Sequence, residues 1–222
     1  MSSTPSTAAG FRNDLAAVQS AYAPGPVPMR EIFDLAKAHI DMEPREIEAL
    51  LEDDVHINKV GAVSIMDWQA RRRSTIPSHR QELFDLYLRR HDRIDNWDLV
   101  DRSAPSVVGG YLVDRDRAPL YALARSNSLW ERRTAIVATY AFIRQGDLDD
   151  TFAIGAILVD DPEEMVQTAV GGWIREAGKR DPKRLVAFLD QHAATMPRTT
   201  LRYAIKHLDP QQRDHYLRLP RA

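Results

Sequence analysis

Trp97 and Asp101 stand four residues apart in the stretch Ile94 to Pro105, IDNWDLVDRSAP. On a helix that spacing places both side chains on one face. An electron-rich aromatic surface beside a fixed anion is what attracts a cationic, aromatic ligand. The plainer reading of the same pair is a tryptophan that enters a core and an aspartate that caps or decorates a helix. Arg133 raises a second question. Its helical neighbours three and four residues away are Leu129, Trp130, Ile136 and Val137, so its guanidinium projects from a mostly apolar face. An unpaired buried charge is costly. Arg133 therefore either meets an internal carboxylate or reaches into a cleft and holds a phosphate.

Basic residues recur near the predicted helix ends: Arg71, Arg72 and Arg73, then Arg89/Arg90, Arg132/Arg133, Lys179/Arg180 with Lys183/Arg184, and Arg198/Arg202/Lys206. Stacked helices would align such ends in a row, a positive stripe suited to phosphates. Equally, cations at helix C-termini complement the helix dipole. The formal net charge of −2 argues against a protein that coats nucleic acid through bulk charge.

Other chemistries are excluded by what the chain lacks. With no cysteine there is no disulfide, thiolate metal site or cysteine nucleophile. The seven histidines show no HExxH or other close pairing, so no metal is expected. No apolar run approaches the roughly 20 residues of a membrane span, and MSSTPSTAAG lacks the basic-then-apolar order of a signal peptide. A cytoplasmic protein is expected.

These residues must be positioned by helices, because no stretch alternates as a strand would and most prolines fall where a helical pattern begins. The pattern predicts a disordered lead over residues 1–10. Helices follow at 11–22, 29–39, 43–52 and 55–73, another from Pro77, and one from about Asp95 that Pro105 closes. Further helical segments fall at 106–113, 118–125, 129–145, 148–159, 162–179, 182–192, 198–208 and 210–217. Short helices joined by tight turns describe an all-α fold, an α-α superhelix of degenerate HEAT-like repeats, better than a four-helix bundle. One such domain is expected over residues 11–222, with a concave face as the binding surface.

Four ordered segments carry a resemblance: NWDLVD (residues 96–101), WERRTAI (130–136), VGGWIREAGKRDP (170–182) and LRYAIKHL (201–208). From about Met29 onward the chain resembles the DNA alkylation repair glycosylases of the AlkD-like type. The resemblance implies an enzyme that cradles duplex DNA on a basic concave face. It would remove positively charged N3- and N7-alkylated purines without flipping the base into a pocket. It further implies that Asp101 is the catalytic aspartate, Trp97 one of two active-site tryptophans and Arg133 the phosphate-contacting arginine, with no cofactor. Double-stranded DNA with alkylated purines is then the partner, the protein a monomer, and the nucleoid its place when bound.

The chain departs from the family pattern at the second tryptophan, which aligns with Gly172, while Trp173 is the next residue. One residue is about 100° around a helix, and Trp173 falls on the apolar stripe Val166, Val170, Trp173, Ala177, which points to packing. Gly171 and Gly172 either kink the helix and re-aim Trp173, or leave room for a larger lesion or a close backbone approach. Met1 to Pro28 shows no clear match to the family's N-terminal helices. The alternative to a glycosylase is a non-catalytic HEAT-like module that binds DNA or protein. Asp98, three residues after Asp95, is read as part of a capping arrangement with a structural role.

Overall fold

The computed structural model describes residues 6–220. Among the described residues there is no strand, and the all-α class expected from the sequence holds. The helices are α1 (Ala8–Tyr22), α2 (Met29–Ala38), α3 (Pro44–Leu51), α4 (His56–Arg71), α5 (Pro77–Arg89), α6 (Trp97–Ala104), α7 (Gly110–Leu112) and α8 (Ala118–Leu123). There follow α9 (Leu129–Ala138), α10 (Tyr140–Ile143), α11 (Asp149–Ile157), α12 (Glu164–Arg180), α13 (Pro182–His192), α14 (Arg198–Ala204) and α15 (Pro210–Arg218).

Pro44, Pro77, Pro182 and Pro210 each open a helix. There the missing N–H would have had no intrahelical partner in any case. Thr7 caps α1 by accepting from the Gly10 N–H at 3.1 Å, so the helix starts at Ala8, three residues inside the lead expected to be disordered. The rest of that expectation, over residues 1–5, lies outside the described residues. The two final residues of the expected single domain lie outside them as well.

Where the sequence offers no boundary, the fold divides into two compact units, residues 1–111 and 112–222. In the first, α2, α4 and α6 pack side by side, α1, α3 and α5 do the same, and α1 meets α2, α3 meets α4 and α4 meets α5. Helix pairs stacked in two layers are the arrangement of an α-α repeat, in which each pair buries its apolar faces against its neighbours. α4 is the middle helix of its layer and is buried almost along its whole length, with Val63, Ile65 and Met66 fully enclosed. In the second unit α12 occupies the middle, packed on α9, α11, α13 and α14.

α6 ends at Ala104 with Pro105 as its C-cap, as expected, but the chain stays helical beyond it. A proline has no N–H for the carbonyl four residues back, that of Asp101. The chain continues through a π-helical turn over Pro105–Gly109, where the Gly110 N–H reaches the Pro105 carbonyl five residues away, and passes into α7. Such turns insert a residue without breaking the helix. Thr139 likewise interrupts the segment expected to run unbroken over 129–145, separating α9 from α10.

Candidate functional site

The first unit holds Trp97 and Asp101, both on α6. The helix begins at Trp97 because Asn96, extended at φ −149°, accepts the Trp97 N–H on its side-chain oxygen at 2.7 Å. The cap is therefore Asn96, not the Asp95 suggested by the sequence spacing. Leu99, Val100, Ser103 and Ala104 turn inward and are buried, which leaves Trp97 and Asp101 on the outer face. Trp97 is 51% exposed, so it is not a core residue. Asp101 is exposed beside it, one helical turn on.

Polar contacts fix this helix on α4. His56 Nε2 lies 2.8 Å from Asp98 Oδ2, and Lys59 Nζ donates to both oxygens of Asp95 at 2.9 and 3.1 Å. Arg102 Nε donates to Ser64 Oγ at 3.2 Å, and Arg102 Nη2 stands 3.2 Å from the buried Asp67 Oδ2. Asp98 and Asp95 are thus engaged as supports on either side of Trp97, which gives Asp98 the structural role expected of it. A half-exposed indole on a free helix end would have many orientations; here the helix beneath it is held at three successive turns of α4.

Asp67 is also the centre of a cationic cluster that the sequence reading passed over. It takes Arg71 Nη1 at 3.2 Å as well as Arg102. The guanidinium carbon of Arg102 lies 4.3 Å from the Phe33 ring centre and 5.4 Å from that of Trp68. Arg71 and Lys37 each stand 5.1 Å from the Trp68 ring. Burial lowers the Arg102 pKa, Asp67 opposes that shift, and the Arg71 charge adds to it. The only advance signals were the Asp67/Arg71 spacing on α4 and an interior-facing Arg102.

The second unit holds Arg133, Gly172 and Trp173. Arg133 is 7% exposed, and its Nη1 donates to the Met165 carbonyl in the first turn of α12. That backbone contact is one the sequence did not suggest. Its neighbour Arg132 meets the Asp161 carboxylate at 2.5 and 3.2 Å.

α12 runs unbroken from Glu164 to Arg180 through both glycines. Their roles differ. A Cβ on Gly171 would come within 2.4 Å of the Thr200 carbonyl oxygen and 2.6 Å of Tyr203 Cβ, so this glycine allows α12 and α14 to cross closely. A Cβ on Gly172 would meet nothing within 4 Å. The close approach and the open space, alternatives in the sequence, are both present, one at each position. Trp173 is half-buried and stacks on Tyr140, with ring centres 5.3 Å apart and planes 14° from parallel. Its stripe partners Val166, Val170 and Ala177 are fully buried, and its indole Nε1 is buried without a hydrogen-bond partner.

Most of the basic doublets are engaged by neighbours. Arg72 meets Asp41 at 2.5 Å, Arg89 meets Glu48 at 2.9 Å, Arg184 meets Asp149 at 2.6 Å and Lys179 meets Glu176 at 2.7 Å. Burial opposes ionisation of Glu176, yet Lys179 and Arg175 hold its pKa below the usual value. Among the described residues no group of three or more His, Asp or Glu side chains could hold a metal ion, and no helix is long and apolar enough to cross a membrane.

No curated protein matches the chain. The fold is similar to a solved structure described as a predicted DNA alkylation repair enzyme from Enterococcus faecalis. The two are 16% identical, with a TM-score of 0.64 over 90% of this chain and 95% of that one. The family model described as DNA alkylation repair enzyme matches residues 4–208, nearly the whole length. The chain belongs to the DNA alkylation repair enzyme family.

Proposed function

We propose that the protein is a DNA glycosylase that excises N3- and N7-alkylated purines from duplex DNA, with Asp101 as the catalytic group. The observation that carries this reading is the exposed pair on α6: a carboxylate one turn from a half-exposed indole, on a helix held from beneath by α4. An N-alkylated purine is already cationic and leaves with the electrons of the N-glycosidic bond, becoming neutral as it goes. Positive charge then develops on the sugar, as in other glycosidic transition states. The Asp101 carboxylate stabilises that charge and orients a water, whose oxygen bonds to the sugar carbon and whose proton passes to the carboxylate or solvent. The products are a free base and an abasic site, and no cofactor enters. Trp97 offers its face to the cationic nucleotide. Because both groups stand on an open helix surface, the base need not enter an enclosed pocket. In this reading Arg133, Gly172 and Trp173 are DNA-contacting residues of the second unit, and the protein acts as a monomer on DNA in the cytoplasm and nucleoid.

Purified protein incubated with methylated duplex DNA should release 7-methylguanine or 3-methyladenine, and Asp101→Asn should largely abolish the release. The open space at Gly172, where the family has its second tryptophan, favours a second reading: a non-catalytic module that binds DNA or protein. Salt-dependent duplex binding without base release from any alkylated substrate would establish that reading and overturn the first.

A further inference from the structure

We propose that Lys37, Arg71 and Arg102, gathered around Trp68, form a binding site for a backbone phosphate of duplex DNA. The inference rests on the reading of DNA as the partner and names where on the first unit the backbone is held. Three cations converge on one indole from three adjacent helices, α2, α4 and α6, each centred within 5.4 Å of the Trp68 ring. The ring attracts each of them through its electron-rich face, and the Trp68 Nε1–H is fixed by the Phe33 carbonyl at 3.1 Å, which holds the platform still. The carboxylate that Arg71 and Arg102 share, Asp67, is 2% exposed and lies beneath the cluster. It stands 3.2 Å from Arg102 Nη2, but that buried nitrogen has no hydrogen-bond partner, so the alignment is that of an ion pair only. One carboxylate against three cations leaves a net positive site.

Lys37 and Arg71 are exposed, and so open to a ligand. An anion bridging them would relieve their mutual repulsion, and a phosphate offers oxygens to several N–H donors at once. Arg102 directly follows Asp101 in the chain, and the α2–α4–α6 layer carries both cluster and carboxylate. A duplex presents phosphates at regular intervals, so one held here would fix the register of the strand relative to Asp101, a positioning contact that carries no sequence information.

The test measures binding of undamaged duplex DNA against salt concentration for the full chain, alongside thermal melts that report folding. Lys37→Gln and Arg71→Gln should each lower the slope of log affinity against log salt by about 0.9, and Arg71→Lys should keep the wild-type slope. Arg30→Gln, which removes an exposed α2 cation outside the cluster, should also leave it unchanged. Unchanged slopes for both cluster variants overturn the proposal. So does an equal loss for Arg30→Gln, which would indicate bulk charge. Inorganic phosphate that saturates the Trp68 indole resonance while the DNA slope stays constant would identify a small-anion site and overturn the DNA assignment. Base release is not read here, so failure of this inference leaves the glycosylase reading intact, and a glycosylase failure leaves the slopes to decide this one.

Discussion

The helix α6 and the helix α12 each carry a tryptophan near a departure from simple helical packing, and they use it in opposite ways. On α6 the small and aliphatic residues Leu99, Val100, Ser103 and Ala104 fill the interface, so Trp97 remains outside next to Asp101. On α12 the interface with α14 is made by a glycine, Gly171, and the tryptophan is drawn against Tyr140. The difference teaches that an aromatic becomes available for chemistry when other residues complete the packing beneath it. Trp173 completes packing itself, while Gly172 beside it faces open space.

The largest effect expected from breaking this contrast is at Asp101. Asp101→Asn keeps the shape and removes the charge, and should lower base release by about 100- to 1000-fold, the usual loss when an electrostatic stabiliser of a transition state is removed. Its melting temperature should stay close to that of the wild type. A variant that retains near-full release would dissolve the functional half of the comparison.

Exchange of the two tryptophans comes next. Trp173→Ala removes a half-buried stacked ring and should destabilise the protein by about 2 kcal/mol, below the range for fully buried aromatics. Trp97→Ala should change stability by no more than about 0.5 kcal/mol, as for exposed positions generally, while reducing base release. Chemical denaturation of both variants checks this. Equal losses of stability would show that Trp97 is a packing residue after all.

The glycine pair adds a difference in sign. Gly171→Ala drives a methyl into the Thr200 carbonyl and Tyr203, so it should cost about 1–3 kcal/mol as overpacking does. Gly172→Ala meets nothing and should gain up to about 1 kcal/mol from helix propensity. Opposite shifts in melting temperature sharpen the assignment; shifts of the same sign refute it.

Much of the fold was legible because helices of this kind declare themselves locally. Proline at the first position, apolar residues three and four apart, and basic residues at the ends gave most of the helix positions within a few residues. The errors fell where a local signal was overridden. Pro105 ends α6 as it should, but the π-helical turn keeps the chain helical past it. Asp95 reads as a cap, but Lys59 takes its carboxylate and Asn96 caps instead. At Arg133 the Nη1 contact with the Met165 carbonyl is one that no side-chain pattern can announce.

By itself the sequence determined the helical class and the placing of Trp97 and Asp101 one turn apart, since both follow from spacing along one chain, and its ordered segments carried the resemblance to the family. Only the tertiary structure decided that Trp97 is exposed while Trp173 is stacked, that Gly171 is a crossing point while Gly172 is open, and that Lys37, Arg71 and Arg102 share one indole. Each depends on what a neighbouring helix places opposite the residue, and that is a property of packing between segments far apart in sequence.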